Sequence, residues 1–101
     1  MNRFSLDDLA RCRESIDQID LRLLDLLNER TAIVEDIGYI KQNLRLAVYE
    51  PKREDQVFAN VLSHNRGPLP ADAVKRIFER IIDEMRTVQK QKIVGTDSSA
   101  G

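Results

Sequence analysis

Residues 9–44 read LARCRESIDQ IDLRLLDLLN ERTAIVEDIG YIKQNL. Within them Leu9, Cys12, Ile16, Ile19, Leu23 and Leu26, then Ile33, Ile37, Ile40 and Leu44, recur at alternating three- and four-residue steps, the signature of one apolar stripe along a helix. The single gap in the stripe falls at Arg30. No proline interrupts the run, and Gly38 costs roughly 1 kcal/mol in a helix interior, which the flanking residues can carry. The spacing predicts one helix to about Leu44. Upstream, Ser5 followed by Asp8 has the form of a capping box with Asp in place of Glu, and Asp7 and Asp8 suit the positive end of a helix.

Such a helix is about 60 Å long at 1.5 Å per residue. A compact domain of this chain length has a diameter of about 35 Å. The helix therefore overshoots its own domain, and its stripe faces water, at a cost of roughly 25 cal/mol per Å², unless a second chain covers it. An intertwined homodimer is the expected remedy.

Beyond the long helix, residues 46–50 form a short link and Pro51 fits the first position of a second helix, where its missing N–H costs nothing. Val57, Phe58, Val61 and Leu62 give that helix one apolar face, and Asn65 to Pro70 stop it with a glycine and two prolines. Pro70 then opens a third helix whose apolar face runs Val74, Ile77, Phe78, Ile81, Ile82, Met85 and Val88, in register to Gln89 and fading after Lys92. The expected architecture is all-α, three helices in a domain over residues 1–94, with a disordered tail over 95–101.

Composition narrows the function classes. With 16 basic and 17 acidic residues and a net charge of -1, no basic face offers itself to nucleic acid or to an acidic membrane. The lone Cys12, placed among apolar helical positions, reads as a buried, reduced thiol. No secretory signal and no apolar run of about 20 residues is present, so the expected location is cytoplasmic. No grouping has metal-ligand spacing, no Ser–His–acid set is suggested, and no glycine-rich phosphate loop is present.

Attention then falls on polar residues that break apolar stripes: Arg30 in the seam, Lys41 on its flank and Gln89 at the inner end of the third helix. A buried cation needs an anion, supplied by a glutamate such as Glu54 in a structural ion pair or by a ligand. Arg30 and Lys41 are eleven residues apart, so they project from one face about 16 Å apart along the axis. Arg13 lies roughly 25 Å from Arg30, too far for one small ligand within one helix. In an antiparallel pair of helices, Arg13 of the partner would reach the cluster, making the site composite. Glu50, Arg53 and Glu54 add charge at the N-terminus of the second helix, where backbone N–H groups are free. His64 is expected to be exposed and without a role.

Together these residues resemble the all-helical class of chorismate mutases over roughly residues 5–92. The resemblance rests on Arg13 to Asp20, Leu26 to Arg30, Ile37 to Lys41, Glu50 to Glu54 and Phe78 to Gln89, five segments in order and in register. It implies a cofactor-free rearrangement of chorismate to prephenate in phenylalanine and tyrosine biosynthesis, in a homodimer with two composite sites. Arg30, Lys41 and the partner's Arg13 would hold the substrate's two carboxylates. Lys41 and Gln89 would bond the ether oxygen, Glu54 and the Glu50 segment would receive the ring hydroxyl, and Arg53 would order that corner. Met85 stands where some relatives carry a substrate-contacting serine, and Glu50 where aspartate is common. The alternatives are isochorismate cleavage to pyruvate and salicylate on the same fold, and a non-catalytic helical dimer serving ligand sensing or interaction. A partner enzyme of the same pathway is a further expectation.

Overall fold

The structure is a computed structural model that describes the backbone of residues 4–100 and the side chains of residues 4–91. Three helices occur, α1 (Leu6–Leu44), α2 (Pro51–His64) and α3 (Ala71–Ala100), with no strand among the described residues. No described helix is long and apolar enough to cross a membrane. The chain divides into two compact units, one ending at Ala32 and one beginning at Ile33, with α1 contributing to both.

At the start of α1 the capping box forms as the sequence predicts. The Ser5 N–H donates to Asp8 Oδ2 at 2.8 Å, and the Asp8 N–H donates to Ser5 Oγ at 3.3 Å. Aspartate is one methylene shorter than glutamate, yet it closes the box and also accepts from Arg11. Two orphan N–H donors of the first turn are thereby satisfied.

Within the first unit no described residue is buried. Leu9, Ile16, Ile19, Leu23 and Leu26 are all exposed in the single chain. Cys12 is exposed too, which corrects the expectation of a buried thiol: its neighbours on the stripe are apolar, but nothing in this unit covers them.

The second unit has a core. Val34, Gly38 and Lys41 are buried at spacings of four and three along the end of α1, and Val74, Ile82 and Met85 are buried on α3. Helix α2 packs on α3 with Val57, Phe58, Val61 and Leu62 half-buried. These four share one face of α2, so the helix lies on the surface and wets its other side.

Helix α1 ends in a Schellman turn. The Leu46 N–H bonds the Lys41 carbonyl at 2.8 Å and the Arg45 N–H bonds the Gln42 carbonyl at 3.2 Å, the paired pattern that satisfies the last free carbonyls. Arg45 carries the left-handed conformation this turn demands, with φ 58°, where glycine is usual and a side chain costs about 1–2 kcal/mol. Arg45→Gly is therefore expected to stabilise the protein by about 0.5–1 kcal/mol, the gain being trimmed by the looser unfolded chain. A rise of a few degrees in Tm would record it; a fall would contradict the strain.

Pro51 occupies the first position of α2 as expected. At the far end, Asn65 Oδ1 accepts from the Gly67 N–H at 3.0 Å, and its amide nitrogen donates to the Leu69 carbonyl at 2.8 Å. One side chain thus organises the turn into α3. Pro70 sits just outside α3 and supplies the carbonyl for Val74 at 3.0 Å, so the helix opens at Ala71, one residue after the expected start. Helix α3 continues to Ala100, past the expected fade after Lys92, and the expected tail over residues 95–101 lies outside the residues whose side chains are described.

Candidate active site

Lys41 is the one buried charged residue among those described, at 6% exposure. Burying an ammonium costs several kcal/mol unless its donors are matched. Each of its three protons has an acceptor: the Val48 carbonyl at 2.8 Å, Gln89 Oε1 at 3.2 Å and Glu50 Oε1 at 2.8 Å. The three come from different places, namely the link after α1, the inner face of α3 and the N-terminus of α2. Lys41 lies in the last turn of α1, where the Schellman turn reverses the chain and returns Val48 and Glu50 to it.

Glu50 occupies the N-cap of α2, yet its side chain makes no capping bond. Its carboxylate is engaged by Lys41 instead, while remaining 52% exposed. The cap is given up for the ion pair.

Gln89 has its amide orientation fixed by this company. An ammonium only donates, so Gln89 must present its oxygen to Lys41, which leaves the Nε2 hydrogens to donate elsewhere. Gln89 packs against Gly38 of α1: a Cβ added there would sit 3.7 Å from the Gln89 Cα and 3.8 Å from its Cγ. That distance is ordinary van der Waals contact, so an alanine would fill the seam and a larger side chain would push Gln89 outward.

A second cluster adjoins through the same link. Arg86 of α3 donates from Nη2 to Glu54 Oε2 of α2 at 2.5 Å, lies 3.5 Å from Asp83 through Nη1, and places its guanidinium 4.9 Å from the centre of the Tyr49 ring. The hydrogen bond to Glu54 raises its pKa above the ordinary arginine value, so it stays charged. Its Nε is buried without a partner.

Of the residues expected in a site, the second unit thus brings Lys41, Gln89 and Glu50 into direct contact. Glu54 is paired with Arg86, Met85 is buried on α3, and Arg53 is exposed. Arg30 and Arg13 belong to the first unit, Arg30 half-buried and Arg13 exposed. Arg86, Tyr49 and the Val48 carbonyl escaped the sequence reading. Arg86 had one signal, since it stands four residues after Ile82 and three before Gln89, at the edge of the apolar face of α3.

Residues 12–90 match the family model described as "Chorismate mutase type II". The chain belongs to that family. It is 28% identical over 97 residues to a chorismate mutase of Methanocaldococcus jannaschii, covering 92% of this chain and 95% of that protein. It is 33% identical over 90 residues to a bifunctional chorismate mutase/prephenate dehydratase of Aquifex aeolicus, covering 85% of this chain and 25% of that protein. The chain therefore spans about a quarter of the bifunctional relative and nearly all of the archaeal one. Among solved structures, a chorismate mutase of Thermus thermophilus superposes with a TM-score of 0.80 at 29% identity, over 81% of this chain and 93% of that one. The all-helical fold is that of the chorismate mutases.

Proposed function

We propose that the chain is a chorismate mutase, rearranging chorismate to prephenate without cofactor or covalent intermediate. The observation that carries this reading is the buried Lys41 bonded to Gln89 on the opposing helix. The reaction is intramolecular: the ether C–O bond to the ring breaks while the side-chain methylene forms a new C–C bond to the ring, and no proton leaves or enters. Such a reaction needs only a compact chair-like conformer and donors aimed at the ether oxygen as it gains negative charge. Lys41 Nζ and Gln89 Nε2 are two such donors, in a place dry enough for their charge and dipole to act strongly. Arg30 holds one substrate carboxylate, Glu54 and the Glu50 segment accept the ring hydroxyl, and Arg53 and Met85 line the remaining wall.

In this reading the exposed stripe Leu9, Ile16, Ile19, Leu23 and Leu26 is covered by a second copy, whose Arg13 completes each site. Mixing Arg13→Ala with Lys41→Ala protein, each inactive alone, is expected to restore activity through heterodimers with one intact site. Confirmed subunit exchange without recovery would refute the shared site. The reaction itself is tested by incubating the protein with chorismate and following loss of its absorbance with identification of the product. Prephenate formed well above the buffer rate supports the reading, and no acceleration would sink it. Pyruvate and salicylate formed from isochorismate would instead favour the lyase reaction.

A further inference from the structure

Among the described residues of the second unit, Arg86 is a cation held by several partners, and it has no direct part in the proposed rearrangement. Its guanidinium touches three segments at once: Tyr49 in the link after α1, Glu54 in the first turn of α2, and Asp83 one turn away on α3. Guanidinium stacking on an aromatic ring together with a charge-assisted hydrogen bond fixes both the plane and the direction of the group. Glu54 and Arg86 are both mostly buried, with side chains 23% and 26% exposed, so water competes weakly for the pair. Only one oxygen of Glu54, Oε2, is taken by this bond.

We propose that Arg86 is a positioning residue for the rearrangement: by fixing one oxygen of Glu54 it leaves the other, held in place, as the acceptor for the substrate's ring hydroxyl. This rests on the chorismate mutase reading. A carboxylate with free rotation would spend part of its interaction energy on being ordered when substrate arrives, whereas one already clamped does not. Tyr49 serves the same end, since its ring sets the plane from which the guanidinium reaches α2. The link that carries Tyr49 also carries Val48 and Glu50, so the clamp and the Lys41 cluster are tied through three consecutive residues.

The test compares chorismate with an analogue lacking the ring hydroxyl, using the whole 101-residue chain. Arg86→Met is expected to lower kcat/KM for chorismate by about tenfold, the scale of weakening a hydrogen bond to a charged group, and to leave the analogue's rate unchanged. Arg86→Lys, which keeps the charge but not the fork or the stack, should recover part of the chorismate rate. Tyr49→Leu should produce a smaller loss of the same selectivity. Equal slowing of both substrates in these variants would show a merely structural role and overturn the proposal, as would no slowing of either. If Arg86→Met does not fold, the selectivity of Arg86→Lys and Tyr49→Leu decides in the same way. Failure of the functional reading is distinct, because it shows as no acceleration by the unaltered protein.

Discussion

Lys41→Met is expected to lower kcat/KM for chorismate by about 10³-fold or more, near 4 kcal/mol of transition-state stabilisation, while leaving the fold intact. The two halves of that expectation have separate causes. In the proposed reaction Lys41 supplies both a positive charge for a carboxylate and a donor for the ether oxygen, and removing a single donor of the second kind costs about 10²–10³. The fold survives at reduced stability because methionine fills the volume of the aliphatic stem and the carboxylate left behind, Glu50, is half exposed rather than buried. Glu50, half exposed, returns to water without penalty. The Val48 carbonyl and Gln89 lose a partner, which costs about 1–3 kcal/mol at most for each group left buried and unmatched. Steady-state kinetics with circular dichroism on the same sample measures both. Activity within tenfold of the unaltered protein would remove Lys41 from the chemistry.

Gln89→Glu is the second large effect, and it carries a pH signature. The present amide gives its oxygen to Lys41, and in the proposed reaction its N–H hydrogens are kept for the substrate. A glutamate can do both only when protonated. Ionised, it opposes negative charge on the ether oxygen and ties up the Lys41 ammonium. An ordinary glutamate titrates near 4.3, and the neighbouring ammonium favours its ionised form. The active, neutral form therefore vanishes as pH rises, and kcat/KM should fall about tenfold per pH unit above the carboxyl's pKa. At pH 8, roughly four units above that pKa, the slope predicts a loss of about 10³-fold or more, with recovery on acidification. Gln89 itself does not titrate, so the unaltered protein should lack this slope. A variant equally active at pH 8 and pH 5 would contradict the role given to Gln89.

Much of this arrangement is written in local patterns. Ser5 with Asp8, Pro51, and the run Asn65 to Pro70 each act within a turn of chain, so their consequences appear at the predicted boundaries or, for α3, one residue away. Lys41 and Gln89 were legible for a different reason: a polar side chain on an apolar face must find a partner, and two such faces on packed helices supply each other. What stayed hidden depends on non-local placement. Arg45 adopts a glycine-like conformation because the Schellman turn and the return of the link impose it, against local preference. The Glu50 carboxylate abandons its cap for Lys41, a choice set by tertiary proximity. Arg86 finds its partners only through the fold, where the link brings Tyr49 against it and α2 brings Glu54 alongside. Cys12 is the opposite case, where an apolar pattern promised burial that the first unit by itself does not provide.

The full complement of acceptors around Lys41 has a consequence for how a ligand is admitted. With every proton of the ammonium already taken, a carboxylate arriving from solution finds no vacant donor. It must evict one, and Glu50, the half-exposed member, is the one that water can receive. In the proposed reaction, ligand entry at this lysine is thus an exchange of one carboxylate for another, and its free energy is the difference between two similar bonds. On that reading Glu50 is a placeholder anion, keeping the buried cation matched until substrate arrives.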